Sequence, residues 1–174
     1  EKAGIERVLA LQPCRHGQVL GAQEGRVEQI RPIARAVIAQ DGHDRVSGAE
    51  LACEALGIEP VVCLWHFTFP DWLYDKEHPG QSNWLHPQVR ERWNAYVEKM
   101  VRATSPYVRY YAPQNEPNGQ ITTAYLVGQW PPAMTLAVGH YWKAIEASTD
   151  MFRDAAARIK AIKPSAKVIS VEAL

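Results

Sequence analysis

The segment PVVCLW at residues 60–65 constrains the fold of this chain more than any other feature of its sequence. An uninterrupted apolar run is typical of a β-strand buried on both faces, and such strands occur in parallel sheets that helices cover. From this segment onwards the chain repeats a pattern of helix, strand and long loop, and the last strand is expected at residues 168–171. Alternation of this kind predicts an α/β fold with a parallel sheet.

The remaining elements follow from the spacing of apolar residues. Apolar residues at helical spacing predict helices at about residues 5–11, 27–38, 48–56, 87–101 and 136–159. Shorter apolar runs predict further strands at residues 13–20 and 107–112. Gly57 directly follows the helix predicted at 48–56 and is expected to end it. Two long segments, 68–85 and 117–134, are expected to be loops, and long structured loops are usually functional.

Composition excludes several classes of protein. The 174 residues include 19 Lys+Arg and 19 Asp+Glu, so the formal net charge is zero, and 47% of the residues are hydrophobic. This is the composition of a soluble globular domain, and it argues against a nucleic-acid or anionic-membrane partner. No apolar run approaches the roughly 20 residues that span a membrane. No basic and apolar leader precedes the domain, so we expect a cytoplasmic location.

The cysteines indicate neither a disulfide framework nor a metal site. The chain has three, Cys14, Cys53 and Cys63, and an odd, sparse set does not form a disulfide scaffold. Cys53 and Cys63 lie in apolar patterns and are expected to be small buried hydrophobic residues. No pair has the spacing of a zinc site.

Polar residues stand where the predicted strands end. His66 follows the run at 60–65, Asn115 and Glu116 follow the strand at 107–112, and Glu172 follows the last strand. In parallel α/β barrels the catalytic groups lie at these carboxyl ends. Glu116 is the candidate general acid, and Pro117 is expected to hold it in an extended conformation. The alternative is that Glu116 caps a helix or pairs with an arginine.

The stretch from Leu56 to Val171 resembles family 1 glycoside hydrolases, a family of β-glycosidases with a (β/α)8 barrel. Four segments carry the resemblance in the expected order. They are residues 57–73 (third barrel strand and its loop), 84–96, 110–117 (fourth strand, ending in the acid/base glutamate) and 125–132. The resemblance implies an α/β fold that is part of a TIM barrel, roughly strands 2–5 with their helices. It also implies a single incomplete domain over 1–174, in which 55–174 match well and 1–54 match poorly.

The resemblance also implies roles for individual residues. Glu116 would be the general acid/base, Asn115 would bond the sugar 2-hydroxyl, and His66 would bind another hydroxyl. Arg15 falls where the family has an arginine near its nucleophile. Aromatic side chains would offer flat faces to sugar rings, with Trp65, Phe67 and Trp130 as the main candidates among a set that also includes Trp72 and Trp84. No metal or organic cofactor is implied, and the substrate would be a small oligosaccharide or an aryl glycoside.

The resemblance is incomplete because a retaining glycosidase needs a second carboxylate as nucleophile. The family carries it on the seventh strand, whereas this chain is expected to reach only the fifth. Glu172 lies on a strand that does not carry the nucleophile. The markers His66, Glu116 and Glu172 are about 50–56 residues apart, and eight such units need about 400 residues. The chain is therefore expected to hold less than half of a barrel and to have little or no activity alone.

Three other readings stay open. The chain could belong to another family of the same clan, in which an Asn-Glu-Pro acid/base also ends strand four. It could be a non-catalytic carbohydrate-binding half-barrel that self-associates through exposed sheet edges. A Cys–His hydrolase built from Cys63 and His66 is disfavoured, because residues three apart on a strand point to opposite faces.

Overall fold

A four-stranded parallel sheet forms the centre of the chain in its computed structural model, which describes residues 8–11, 53 and 55–173. The strands lie in the order of the sequence, β1 (Val8–Leu11), β2 (Glu59–Cys63), β3 (Tyr110–Ala112) and β4 (Lys167–Val168). Helices α1 (Val89–Thr104), α2 (Pro117–Tyr125) and α3 (Val138–Ile162) connect the later strands. The predicted α/β architecture with a parallel sheet is confirmed.

Strand β2 is buried on both faces, as its apolar run predicts. Val62 belongs to the large core that the sheet forms with the helices, together with Leu64 just beyond the strand. Val61 and Cys63 point to the opposite face, where they pack with Ala112 of β3. The register pairs Val61 with Tyr110 and Cys63 with Ala112, so side chains of like orientation meet across the two strands.

Helices α1 and α3 pack against each other and cover one face of the sheet. The buried face of α1 includes Val89, Trp93, Val97 and Val101, as the spacing predicts. The Trp93 indole Nε1 donates a hydrogen bond to the carbonyl of Met151 in α3 at 2.9 Å. No helix in the described part of the chain is long and apolar enough to span a membrane.

The predicted start of α3 is wrong by two residues. Leu136 was expected on its buried face, but the helix begins at Val138 and Leu136 is 77% exposed. Leu136 has a φ of 51°, which is incompatible with an α-helix and marks the turn before it.

The helix predicted at residues 5–11 is also wrong. Val8–Leu11 form β1, which pairs in parallel with β2 from Val8 opposite Glu59 to Leu11 opposite Val62. A short apolar run fits a buried helix or a buried strand equally well, and the partner strand decides between them. The elements predicted at 13–20 and 27–38 lie outside the described residues. For the helix at 48–56 only the end is described: Gly57 has a φ of 64°, and the Ile58 N–H bonds the carbonyl of Cys53 at 2.8 Å.

The segment 117–134 is not a loop throughout, because α2 occupies its first nine residues. Pro117 is at the first turn of the helix, where a missing N–H costs nothing. Ile121, Ala124 and Tyr125 are fully buried against the core and stabilise the helix by packing. The other predicted loop, 68–85, contains only three short 3-10 turns.

Candidate active site

Backbone hydrogen bonds bring the carboxyl ends of β2, β3 and β4 together. The Asn115 N–H donates to the carbonyl of Trp65 at 3.0 Å, and the Glu116 N–H donates to the carbonyl of Val171 at 2.7 Å. Asn115 and Val171 also form a parallel bridge. His66 and the Asn115–Glu116 pair therefore lie at one edge of the sheet, as their positions in the sequence predict.

Glu116 is in the left-handed conformation, with a φ of 46° and a ψ of 50°. The expectation that Pro117 holds it extended is wrong. The Glu116 N–H must reach the last strand, while its carbonyl accepts hydrogen bonds from Gly119 at 3.1 Å and Gln120 at 3.3 Å in α2. The chain turns sharply between these two sets of bonds, and they outweigh a local preference that costs about 1–3 kcal/mol to override.

The carboxyl group of Glu116 is left free by this arrangement. The residue occupies the N-cap position of α2, but its side chain makes no capping hydrogen bond. Within the described residues it forms no ion pair either, so neither alternative role for this side chain is observed. The side chain is half-buried at the end of an apolar sheet, where a carboxyl group can meet a ligand.

His66 is half-buried, and its ring lies 4.6 Å from that of Phe67 in an edge-to-face contact. Phe67 has a φ of 65°, so left-handed non-glycine residues follow both β2 and β3. Backbone strain of this kind clusters at active sites and ligand clamps. The ring of Phe67 in turn lies 5.4 Å from that of Trp130.

The candidate aromatic residues separate into core and surface. Trp65 is 7% exposed and packs against Phe67, Phe69 and Trp84, so it supports the strand ends from the core and does not offer a face to a sugar. Trp84 is 1% exposed, whereas Trp130 is 39% exposed. The exposed ring of Trp130 contacts Phe67, and Phe67 in turn contacts His66.

Two buried amides that the sequence patterns did not single out connect the loops around the site. The Trp84 Nε1–H donates to Oε1 of Gln120 at 2.6 Å, and Nδ2 of Asn83 donates to the carbonyl of Pro131 at 2.9 Å. The available signal for Gln120 was its place four residues after Glu116, one turn along a helix that begins at Pro117.

Cys63 is a core residue and not a nucleophile. Its Sγ donates to the carbonyl of Trp65 at 3.2 Å, and burial raises the pKa of the thiol to about 11. A catalytic thiol needs the opposite shift of its pKa. Burial likewise raises the pKa of Tyr96 to about 12, and its hydroxyl donates to the carbonyl of Leu64 at 3.0 Å.

Arg15 and Glu172 are the remaining residues of the sequence argument. Arg15 lies outside the described residues. Glu172 is exposed, and its carboxylate accepts a hydrogen bond from the Ser170 hydroxyl at 2.7 Å. The chain around it is held by Asn118, whose amide bonds the backbone N–H and carbonyl of Ala173.

Helices on one face of a parallel sheet, with polar groups at the carboxyl end of a central strand, are the arrangement of a section of a (β/α)8 barrel. The family model for glycosyl hydrolase family 1 matches residues 41–171, and the chain belongs to this family.

Two plant relatives are β-glucosidases. The chain is 35% identical over 109 residues to a coniferin β-glucosidase of Pinus contorta, a match that covers 63% of the chain and 20% of the relative. It is 35% identical over 77 residues to β-glucosidase 47 of Arabidopsis thaliana, covering 44% of the chain and 14% of that protein. The chain thus spans about a fifth of the length of the first relative and less of the second.

Solved structures show the same fold. The crystal structure of Fpglu1 from Fervidobacterium pennivoraus superposes with a TM-score of 0.70 at 19% identity, over 97% of this chain and 38% of that one. A family 1 β-glucosidase from Thermotoga maritima superposes with a TM-score of 0.66 at 15% identity, over 84% of this chain and 36% of that one. The four strands therefore match part of the fold of these larger chains.

Proposed function

We propose that this chain is the part of a retaining β-glycosidase that carries the general acid/base, and that Glu116 is that residue. The observation that carries the proposal is the position of Glu116. Glu116 ends a central strand of a family 1 chain, is held by the backbone bond to Val171, and keeps its carboxyl group free.

The chemistry follows from two protonation states of one carboxyl group. Protonated Glu116 donates its proton to the leaving oxygen of the glycosidic bond, and the resulting carboxylate then takes a proton from the attacking water. Asn115 bonds the sugar 2-hydroxyl, an interaction that strengthens in the oxocarbenium-like transition state. His66 binds a neighbouring hydroxyl, Phe67 and Trp130 contact the apolar faces of the substrate, and Arg15 orients the nucleophile.

The chain alone is expected to turn over little or no substrate. A retaining mechanism needs a second carboxyl group about 5–5.5 Å from the acid/base. Among the described residues Glu172 also follows a strand of the sheet, but it is exposed and bonded to Ser170. We therefore assign Glu172 no role in bond cleavage.

The acid/base role can be tested in a chimera in which residues 57–173 replace the matching segment of the Thermotoga maritima β-glucosidase. We expect Glu116→Gln to abolish hydrolysis of methyl β-glucoside, whose poor leaving group needs acid catalysis, and to spare much of the first step with a dinitrophenyl glucoside. Azide, which needs no general base, should restore turnover of the second substrate. Glu172→Gln is the matched control and should leave both rates unchanged.

Two results would contradict the proposal. One is a Glu116→Gln chimera that hydrolyses methyl β-glucoside as fast as the parent chimera. The other is turnover of a chromogenic β-glucoside by the purified 174-residue chain, which would show that it supplies its own nucleophile.

A further inference from the structure

The chain that follows β4 runs on towards α2, past the point where its partner strand has ended. Backbone bonds to β3 hold this segment as far as Ile169, and the carbonyl of Val171 then accepts the N–H of Glu116. From Pro117 onwards the partner segment is helical. It therefore no longer offers an extended backbone to which Ala173 could pair.

The side chain of Asn118, the second residue of α2, takes the place of that backbone. Its Nδ2 donates to the carbonyl of Ala173 at 2.9 Å, and its Oδ1 accepts the N–H of Ala173 at 3.1 Å. A side-chain amide offers an acceptor and donors side by side, as a peptide group does. One side chain therefore holds both backbone polar groups of Ala173, at a position two residues after Glu116.

The first turn of α2 approaches the strand end closely enough for these bonds because residue 119 is a glycine. A Cβ atom at Gly119 would lie 3.3 Å from the Cβ of Ala173, which is tighter than an ordinary contact. A larger side chain at this position would press on the strand end. Glycine permits such close approach because it has no Cβ.

The chain before Glu116 is anchored by a different contact. Gln114 is buried, its Nε2 donates to the carbonyl of Ser148 in α3 at 3.2 Å, and the Ser148 hydroxyl donates back to its Oε1 at 3.0 Å. Glu116 thus follows a segment that is fixed in the core. What remains to be set is the path of the chain after it, and the contacts of α2 with the strand end set that path.

We infer that Asn118 is a positioning residue for Glu116, an inference that rests on the acid/base role proposed above. By holding Ala173, its amide keeps the carbonyl of Val171 in place, and that carbonyl fixes the N–H of Glu116. Without the amide the strand end can move away from α2, and the carboxyl group moves with the backbone that carries it. A shift of about 1 Å in a catalytic group can lower the rate on the order of a hundredfold.

The test uses the same chimera with the Thermotoga maritima β-glucosidase. Asn118→Ala should lower kcat for methyl β-glucoside about ten- to a hundredfold, because this leaving group needs a correctly placed acid. The KM should change little, since Asn115 and His66 are retained. The burst of dinitrophenolate from the dinitrophenyl glucoside should keep its rate, because that leaving group needs no acid. A merely structural defect would lower both rates alike.

A second variant and a matched control exclude effects of size and of helix stability. Asn118→Leu keeps the size of the side chain without its amide, and it should behave as Asn118→Ala does. Thr123→Ala is the control, because the Thr123 hydroxyl donates within α2, to the carbonyl of Gly119 at 2.9 Å. It should leave the rates with both substrates unchanged.

Hydrogen exchange gives a readout that does not depend on activity. In Asn118→Ala the N–H of Glu116 should exchange about tenfold faster, as measured by mass spectrometry of the peptide that contains it. Thr123→Ala should not change this exchange. Unchanged exchange in Asn118→Ala would overturn the inference, and so would equal losses of rate with the two substrates or no loss with either.

The double variant Glu116→Gln/Asn118→Ala separates the positioning role from the acid/base role. If Asn118 acts through Glu116, the double variant should turn over the dinitrophenyl glucoside in azide as fast as Glu116→Gln does, and a further loss would overturn the inference. A Glu116→Gln chimera that hydrolyses methyl β-glucoside at the parent rate would overturn both roles. A full effect of Glu116→Gln with none of Asn118→Ala would overturn the positioning role alone.

Discussion

At the residue scale, the arrangement of Glu116 depends on bonds to distant parts of the chain. Its N–H is fixed by Val171, 55 residues later in the sequence, and its carbonyl by the first turn of α2. The side chain is thereby positioned by backbone contacts alone, and its carboxyl group remains free. A general acid needs this combination of fixed position and unsatisfied carboxyl group.

Cys63 gives a prediction at the same scale. Because burial raises its pKa from 9.0 to about 11, the thiolate fraction at pH 8 is about one hundredth of that of an exposed cysteine. We expect iodoacetamide to alkylate Cys63 at least about a hundredfold more slowly than a cysteine in a short peptide, as measured by mass spectrometry of the digested chain. Urea at denaturing concentration should remove the difference. Rapid labelling of the folded chain would show that the thiol is accessible.

At the scale of elements, the packing of α1 on α3 stabilises the described part of the chain. Trp93 is 7% exposed, packs in the core, and bonds the Met151 carbonyl. Trp93→Ala should lower the free energy of unfolding by about 3–5 kcal/mol, because it leaves a large cavity and removes the hydrogen bond to α3. Urea titration measures this change. Trp72→Ala, at a tryptophan 51% exposed, is the matched control and should cost about 0.5 kcal/mol or less. Equal losses would show that α1 does not dock as described.

The same two helices carry an ion pair that should make stability depend on pH. Arg90 donates to the Asp154 carboxylate at 2.8 and 3.1 Å, and these hydrogen bonds, with a further one from Asn94, hold the pKa of Asp154 below its ordinary value of 3.8. A lowered pKa in the folded state stabilises the fold above the ordinary value. That contribution is lost as the pH falls through the folded-state pKa.

Asp154→Asn should therefore lower the Tm at pH 6 and flatten its decline between pH 5 and pH 2. Glu91→Gln replaces an exposed carboxylate on α1 that is outside this network, and it is the control. If the Tm of Asp154→Asn declines between pH 5 and pH 2 as steeply as that of the parent chain, the pair with Arg90 does not persist in solution.

Sequence patterns predicted the elements whose burial follows a regular period. The buried faces of α1 and β2 were predicted correctly, because a helix against a sheet and a strand between two layers leave clear patterns of apolar residues. The sequence patterns failed where pairing with a distant segment decides the structure. Val8–Leu11 become a strand only by pairing with β2, and α2 forms because Ile121 and Tyr125 reach the core.

The candidate site was likewise predicted only where local patterns identify its residues. His66, Asn115 and Glu116 were recognisable because polar residues directly follow apolar runs. The conformation of Glu116 was not, since the preference before proline is local and the opposing bond to Val171 is not. Asn83 had no local pattern and Gln120 had only its place one turn after Glu116, because their partners are 48 and 36 residues away.

At the scale of the whole molecule, the two faces of the sheet differ. Helices and loops bury one face in the large core. On the other face Val61, Cys63 and Ala112 form a small cluster, against which Ile169 and Val171 pack while remaining partly exposed. In a closed barrel this face fills the interior with layers of side chains from all eight strands. Here it is a partly covered apolar surface next to the edge of β4.

We therefore expect the 174-residue chain to self-associate through this face and the edge of β4. Analytical ultracentrifugation should show a sedimentation coefficient that rises with concentration. Ile169→Lys should weaken the association about tenfold or more, because a contact would then bury an unpaired charge. Leu136→Lys introduces the same charge at an apolar residue 77% exposed outside the sheet, and should have no effect. Loss of association in Leu136→Lys alone would place the contact at the start of α3, and a monomer at all concentrations would show that the sheet face is covered within one chain.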